Sequence, residues 1–276
     1  YQFSPRSDLL FSFQKQSRDS RQSDTVNSTS VTATTRSTTA TSTVSVSDVT
    51  NKLTELQHLY RDEKFNVVTG IGYFDGTAAR RITGTNLTTV LPLCSLVPVF
   101  CPVRTTINVI DNTKTRHSSA YSYANFNQFE NMTWTVGASL DGIKNALVNE
   151  RRFNPKLGIE WYPNSKFTFR GAAFRTSKRD LVTDQTIEPT HVAGFNQFFD
   201  DSDASDAWRY GIGLDYKLDR AFVGLEITYR DLDVPVRRLN DTIWTSRRER
   251  SDRAYLYWLL GDKWVGSLEF FNETSK

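Results

Sequence analysis

Three segments of this chain alternate apolar and polar residues at every step, and that pattern restricts what they can fold into. In Met132–Leu140 the even positions are Met132, Trp134, Val136, Ala138 and Leu140, and each odd one is small or polar. Trp208, Tyr210, Ile212, Leu214 and Tyr216 likewise alternate with Arg209, Gly211, Gly213, Asp215 and Lys217. Ala221, Val223, Leu225, Ile227 and Tyr229 alternate with Phe222, Gly224, Glu226, Thr228 and Arg230. Successive strand side chains point to opposite faces, so each segment has one greasy and one wet face, whereas a helix would scatter the same residues around its circumference. The rule predicts about eleven strands, near 8–16, 52–61, 64–75, 115–127, 131–141, 153–162, 166–176, 206–217, 220–231, 251–261 and 263–272. Leu53–Leu59 also fits a short helix.

Strands of this length cross a bilayer at a tilt. The links between them sort by parity. Those at 61–64, 128–130, 163–165, 218–220 and 261–263 are tight, and those at 17–51, 76–114, 142–152, 177–205 and 232–250 are long. An up-and-down barrel whose two rims differ produces such sorting, and a β-sandwich has no reason to. Segments 17–51 and 76–114 are then long external loops. The Ser- and Thr-rich stretch Thr25–Thr50 reads as a mobile loop or extended hairpin. Trp208 and Tyr216 bracket one apolar face, while Trp161, Trp258 and Trp264 lie near tight turns, as in the two aromatic girdles of a membrane barrel. Mean hydropathy is −0.48 and no run approaches 20 apolar residues. That rules out a helical span and leaves a barrel open. The expectation is an all-β, antiparallel up-and-down transmembrane barrel region over 1–276. An odd strand count makes it an incomplete piece of a larger barrel.

Phe153–Pro163 (FNPKLGIEWYP) and Phe167–Arg175 (FTFRGAAFR) together resemble the barrel of TonB-dependent outer-membrane receptors. In those receptors a strand of this type, a tight turn and a second strand lead into a long external loop. The loop there is followed by Pro-Glu, where this chain has Glu188-Pro189. Gln185–Pro189 with Ala193–Asp201 is also similar to barrel regions attached to tetratricopeptide-repeat proteins of the outer membrane. The receptor resemblance implies energised uptake of a bulky nutrient, such as a metal chelate or glycan, across a Gram-negative outer membrane. It also implies lipid and lipopolysaccharide as surroundings, and a TonB-type energy transducer reached through an N-terminal plug absent from this sequence. Competing readings are a passive porin-like channel and a soluble secreted β-sandwich that binds carbohydrate.

Aromatics beside carboxylates mark Phe195, Asn196, Gln197, Phe198, Phe199, Asp200, Asp201 and Asp203 as a candidate ligand-binding loop, by stacking and charge-assisted hydrogen bonds. A solvated acidic loop is the bland alternative. Asp200, Asp201, Asp203 and Asp206 would offer oxygen ligands to Ca²⁺, without the glycine and distal glutamate of an EF-hand. The wet parity of the strands places Lys156, Glu160, Arg170, Arg209, Asp215, Glu226 and Arg230 along the lumen, as a permeation path or an interior salt-bridge ladder. Arg237, Arg238, Arg247, Arg248 and Arg250 would meet lipid phosphates or water. Cys94 and Cys101 flank a Pro-containing loop and are candidates for a local disulfide. His58, His117 and His191 are scattered and no CxxC occurs, so no metal or cofactor is expected. The net charge of +3 carries no argument for nucleic acid. No catalytic set emerges.

Overall fold

The computed structural model describes residues 2–32, 35–91, 102–238, 241–261 and 263–276. Cys94 and Cys101, and Asp262 of the last tight turn, lie outside them. The strands form one antiparallel sheet in sequence order. They are β1 (Gln2–Ser4), β2 (Ser7–Val31), β3 (Arg36–Arg61), β4 (Phe65–Leu91), β5 (Val103–Phe129), β6 (Met132–Lys144), β7 (Asn149–Trp161) and β8 (Phe167–Ser177). A two-strand hairpin, β9 (His191–Val192) with β10 (Phe195–Asn196), follows. The sheet then continues through β11 (Asp206–Lys217), β12 (Ala221–Arg238), β13 (Asp241–Leu260) and β14 (Trp264–Ser275). Eleven long strands, preceded by the three-residue β1, give an up-and-down sheet of the kind the alternation predicts. A sandwich needs two facing sheets, and these strands build a single sequential one.

The tight turns fall where expected, and the long links are mostly ladder. The segment 17–51 is strand up to Val31 and again from Arg36; 76–114 is strand up to Leu91 and again from Val103. Likewise β6 and β7 are joined by only 145–148, and β12 and β13 run to Arg238 and from Asp241. The expected loops are therefore extended hairpins. Ser and Thr on both faces of these stretches erase the apolar contrast that betrays a strand, while the backbone ladder forms regardless. The stretch 52–61, ambiguous with helix, is strand.

The chain divides into two units, one of Tyr1–Gln14, Leu53–Phe74 and Arg116–Lys276, the other of Lys15–Lys52 and Asp75–Thr115. The second is held by its ladders and a few polar contacts. Thr39 and Thr88 hydroxyls lie 3.2 Å apart, Arg80 Nε donates to Ser45 Oγ at 3.2 Å, and Lys114 meets Asp75 at 3.5 Å.

In the first unit the usual polarity of a folded protein is inverted. Val136, Ile212 and Leu225 are 47%, 65% and 54% exposed, whereas Lys156, Asp215 and Arg209 are 4%, 7% and 8% exposed. The register aligns the outward residues across strands: Trp161, Phe169, Leu214, Leu225, Ala254 and Phe270 form one row. Near the turns Trp161 stacks on Phe169 at 5.2 Å and Phe167 packs on Tyr216 at 4.6 Å; at the other end of β11, Trp208 stacks on Tyr210 at 6.2 Å. From Trp208 to Tyr216 is about 26 Å of strand, comparable to the apolar band of an outer-membrane barrel. Above Ala254 the outward face of β13 turns polar, with Arg250 bound to Asp252 at 2.9 Å and Arg248 to Asp231 at 3.4 Å. Arg248 and Arg250, two of the five clustered arginines, are thus already paired with carboxylates.

Candidate functional site

Among the described residues one long connection remains irregular, 178–205 between β8 and β11, and it packs against the buried face of the first unit. Its neck is closed by backbone bonds from Lys178 N to Ser205 O (2.8 Å) and from Ala204 N to Lys178 O (3.2 Å). Two tight reversals shape it. Thr183 and Asp184 have φ of 53° and 55° between the bridged residues Val182 and Gln185. Ala193 and Gly194 have φ of 46° and 80° between β9 and β10, the pair of positive values that a two-residue hairpin turn requires. The tip of that hairpin lies over glycines of the sheet. A methyl group on Gly158 would come within 2.8 Å of Ala193 Cβ, and one on Gly211 within 2.5 Å of the Phe195 ring. Both strands carry glycine where the hairpin needs the space.

Four sets of contacts hold the segment. Val192 and Phe195 are fully buried with Tyr121, Tyr123 and Phe174. The Glu55 carboxylate accepts hydrogen bonds from the Thr186 hydroxyl and from Ile187 N (3.1 Å), and Gln57 donates to the Ile187 carbonyl and to Tyr121 Oη. Arg179 pairs with Glu188 at 2.6 Å, and Tyr123 donates to the same carboxylate at 2.6 Å. Arg179 also lies 4.0 Å from Asp141, which binds His117, Ser139 and Asn154 at 3.1, 2.7 and 2.6 Å. Finally, Arg209 donates to the Asn196 carbonyl at 2.8 Å and Arg230 to Asp201 at 2.6 Å. The guanidinium carbons of both arginines lie 4.4 and 4.5 Å from the centre of the Phe199 ring.

The candidate ligand-binding residues therefore divide. Phe195 and Gln197 are buried, the latter bonded to Tyr123 and to the Pro189 carbonyl, and neither offers surface to a ligand. Phe198 lies 5.0 Å from the Arg179 guanidinium. Phe199 and Asp201 engage the two wall arginines, and Asn196, Asp200 and Asp203 stay exposed. The four aspartates weighed for Ca²⁺ do not converge: Asp206 is held bidentately by Arg175 at 2.9 and 2.6 Å and Asp201 by Arg230. Among the described residues no group of three His, Cys, Asp or Glu is arranged for a metal.

Of the residues assigned to the lumen by parity, Lys156, Arg209, Asp215 and Arg230 are buried. Arg170 reaches Asp215 at 2.7 Å and Glu226 at 3.4 Å. Glu160, nearer the turn, accepts from Tyr162 Oη at 2.6 Å. Not anticipated were Glu55, Gln57, His117, Asp141, Asn154, Arg179 and Glu188. One signal was present, Tyr121 and Tyr123 on the wet parity of β5, because large rings on a water-facing side have no purpose without something to pack on. In the neck, burial and the neighbouring Asp203 push the Asp180 carboxyl up to about 7, against the opposing charge of Lys178.

No protein-family model matches the sequence, and no curated protein matches it. Solved structures do. The siderophore receptor PiuA from Acinetobacter baumannii is similar with a TM-score of 0.56 at 11% identity, over 95% of this chain and 47% of the receptor. FpvA from P. aeruginosa, bound to heterologous pyoverdines, gives 0.56 at 11% over 98% and 38%. The copper transporter OprC gives 0.55 at 12% over 97% and 47%. The chain spans about half the length of such structures. At these identities the likeness establishes the fold: the sheet is that of an outer-membrane β-barrel, over part of its circumference.

Proposed function

We propose that this chain is barrel wall of a receptor-like outer-membrane protein that binds or transports a bulky nutrient. The observation that carries the reading is the inverted polarity of the first unit. An apolar outward face suits hydrocarbon, and a charged, hydrogen-bonded inward face suits a lumen. Copper and siderophores, named for the similar structures, make a metal or metal chelate the first cargo to test. The energy transducer and the plug belong to the same proposal. So do lipid and lipopolysaccharide around the apolar face, and the placement of the segments 17–51 and 76–114 outside the cell.

The test is uptake by cells that produce the parent protein. Accumulation of labelled copper or ferric chelate that depends on the proton-motive force supports the reading. Equal accumulation with and without the gene, for every chelate tried, overturns it. A second reading rests on the resemblance of Gln185–Pro189 and Ala193–Asp201 to barrel regions attached to repeat-containing outer-membrane proteins, and both stretches lie in the segment packed on the buried face. In that case the barrel is the outer-membrane domain of a repeat-containing protein.

A further inference from the structure

Arg209 and Arg230 are directly opposed in the register of β11 and β12. Like charges at such a position destabilise a sheet, and these two are more than nine-tenths buried, which adds a desolvation cost. Carboxylates offset part of it. Glu249 meets Arg230 at 3.0 Å and Glu226 meets Arg209 at 3.9 Å. Arg209 also donates to the Thr228 hydroxyl of β12 at 3.3 Å, and the in-turned segment adds the Asn196 carbonyl on Arg209, the Phe199 ring against both guanidiniums and the Asp201 carboxylate on Arg230. Even so, the Nε atoms of Arg209 and Arg230 are buried and have no hydrogen-bond acceptor. Nothing in the fold of an up-and-down sheet requires this pair, since apolar or uncharged residues at 209 and 230 would keep the ladder.

We propose that Arg209 and Arg230 form a binding site for a small aromatic carboxylate, and that Phe199 and Asp201 fill it from within as a surrogate for that ligand. The surrogate defines the chemistry: a planar ring for two guanidinium faces and a carboxylate within reach of one of them. A cavity of about 420 Å³ opens onto the same residues, bordered by Phe199, Arg209 and Arg230 and by the carboxylates of Glu226, Glu249 and Glu273. It is of the size that holds a small ligand. Arg253, also on its wall, is taken by Glu269 at 2.6 Å. The ligand therefore takes the place of Phe199 and Asp201 without breaking a strand pair. Residues 198–203 can yield while the hairpin 191–196 stays seated through Phe195 and Val192, which make a separate set of contacts. Binding here belongs to the lumen proposed above but does not depend on energised uptake.

The experiment is titration of the parent protein, purified in detergent micelles, with 3-phenylpropionate and, as a control of equal charge without a π system, 3-cyclohexylpropionate. The aromatic acid binds at least about fivefold more tightly. Phe199→Ala empties the ring position and strengthens its binding roughly tenfold, because the competent state no longer has to be won from the surrogate. Arg209→Gln and Arg230→Gln abolish it. Amide exchange at 198–203 rises on binding while that at 191–197 does not. Phe199→Val, which removes the ring and vacates most of its space, reproduces the gain if the alanine variant folds poorly. Equal affinity for the two acids, or no gain from either substitution at 199, overturns the proposal. A micelle titration contains no uptake step, so failed uptake and failed binding remain separate results.

Discussion

The ring of Phe195 occupies the space that a side chain on Gly211 would need. A fully buried aromatic of the in-turned segment thus rests directly on the backbone of β11, and the absence of a Cβ is what lets it. Gly211→Val is expected to lift the hairpin from the sheet and destabilise the fold by about 1–3 kcal/mol. Urea titration of the folded chain reads the loss. Trypsin, attacking after Lys178 and Arg179, reads the release of the segment. Unchanged cleavage at those sites would show that the hairpin repacks.

The outward face predicts a second outcome. Lys placed at Val136, Ile212 or Leu225 is expected to cost about 2–4 kcal/mol in lipid if these positions lie near mid-bilayer, and less toward the interfaces. Reversible folding into vesicles measures it. Variants that insert as well as the unsubstituted chain would mean that this face does not meet hydrocarbon.

Arg179 and Glu188 form a buried pair with Asp141 and Glu55 close by. Arg179→Met leaves these carboxylates uncompensated and is expected to cost about 3–5 kcal/mol. Arg179→Met combined with Glu188→Met should recover most of that loss. A double-mutant cycle on chemical denaturation gives both numbers, and simple additivity would mean that the pair is not coupled.

The neck should respond to pH. Asp180 has its carboxyl raised to about 7, by burial first and then by Asp203, so the folded chain holds a proton that the unfolded chain releases near 3.8. The stabilisation is complete below about 3.8 and is lost as pH rises through about 7. Hydrogen exchange across 178–205 is therefore expected to quicken as pH rises from about 4 to about 7 and to level off above that, beyond its intrinsic pH dependence. Asp180→Asn should flatten the excess, and a variant that keeps the full response would assign it to another group.

What could be read from the residues depended on contrast. Around Val136, Ile212 and Leu225 each strand separates two unlike environments, so the alternation located strand, face and turn together. In 17–31 and 36–51 Ser and Thr fall on both faces and the same backbone left no periodic trace. The inward charges of the wall, Arg209 and Arg230 among them, followed from parity alone. Arg179 and Glu188 did not, because their burial is decided by Tyr123, Asp141 and Glu55. No local window contains both partners of such a contact.

Sequence separation also orders assembly in time. Apart from β8 with β11, the strands of the sheet pair with their neighbours along the chain, and such local closures are fast. The bonds that seat the in-turned segment on β3 span 131 residues from Thr186 to Glu55 and 132 from Ile187 to Glu55. They cannot form until β3 through β8 stand side by side, so the wall is raised first and its interior is furnished last.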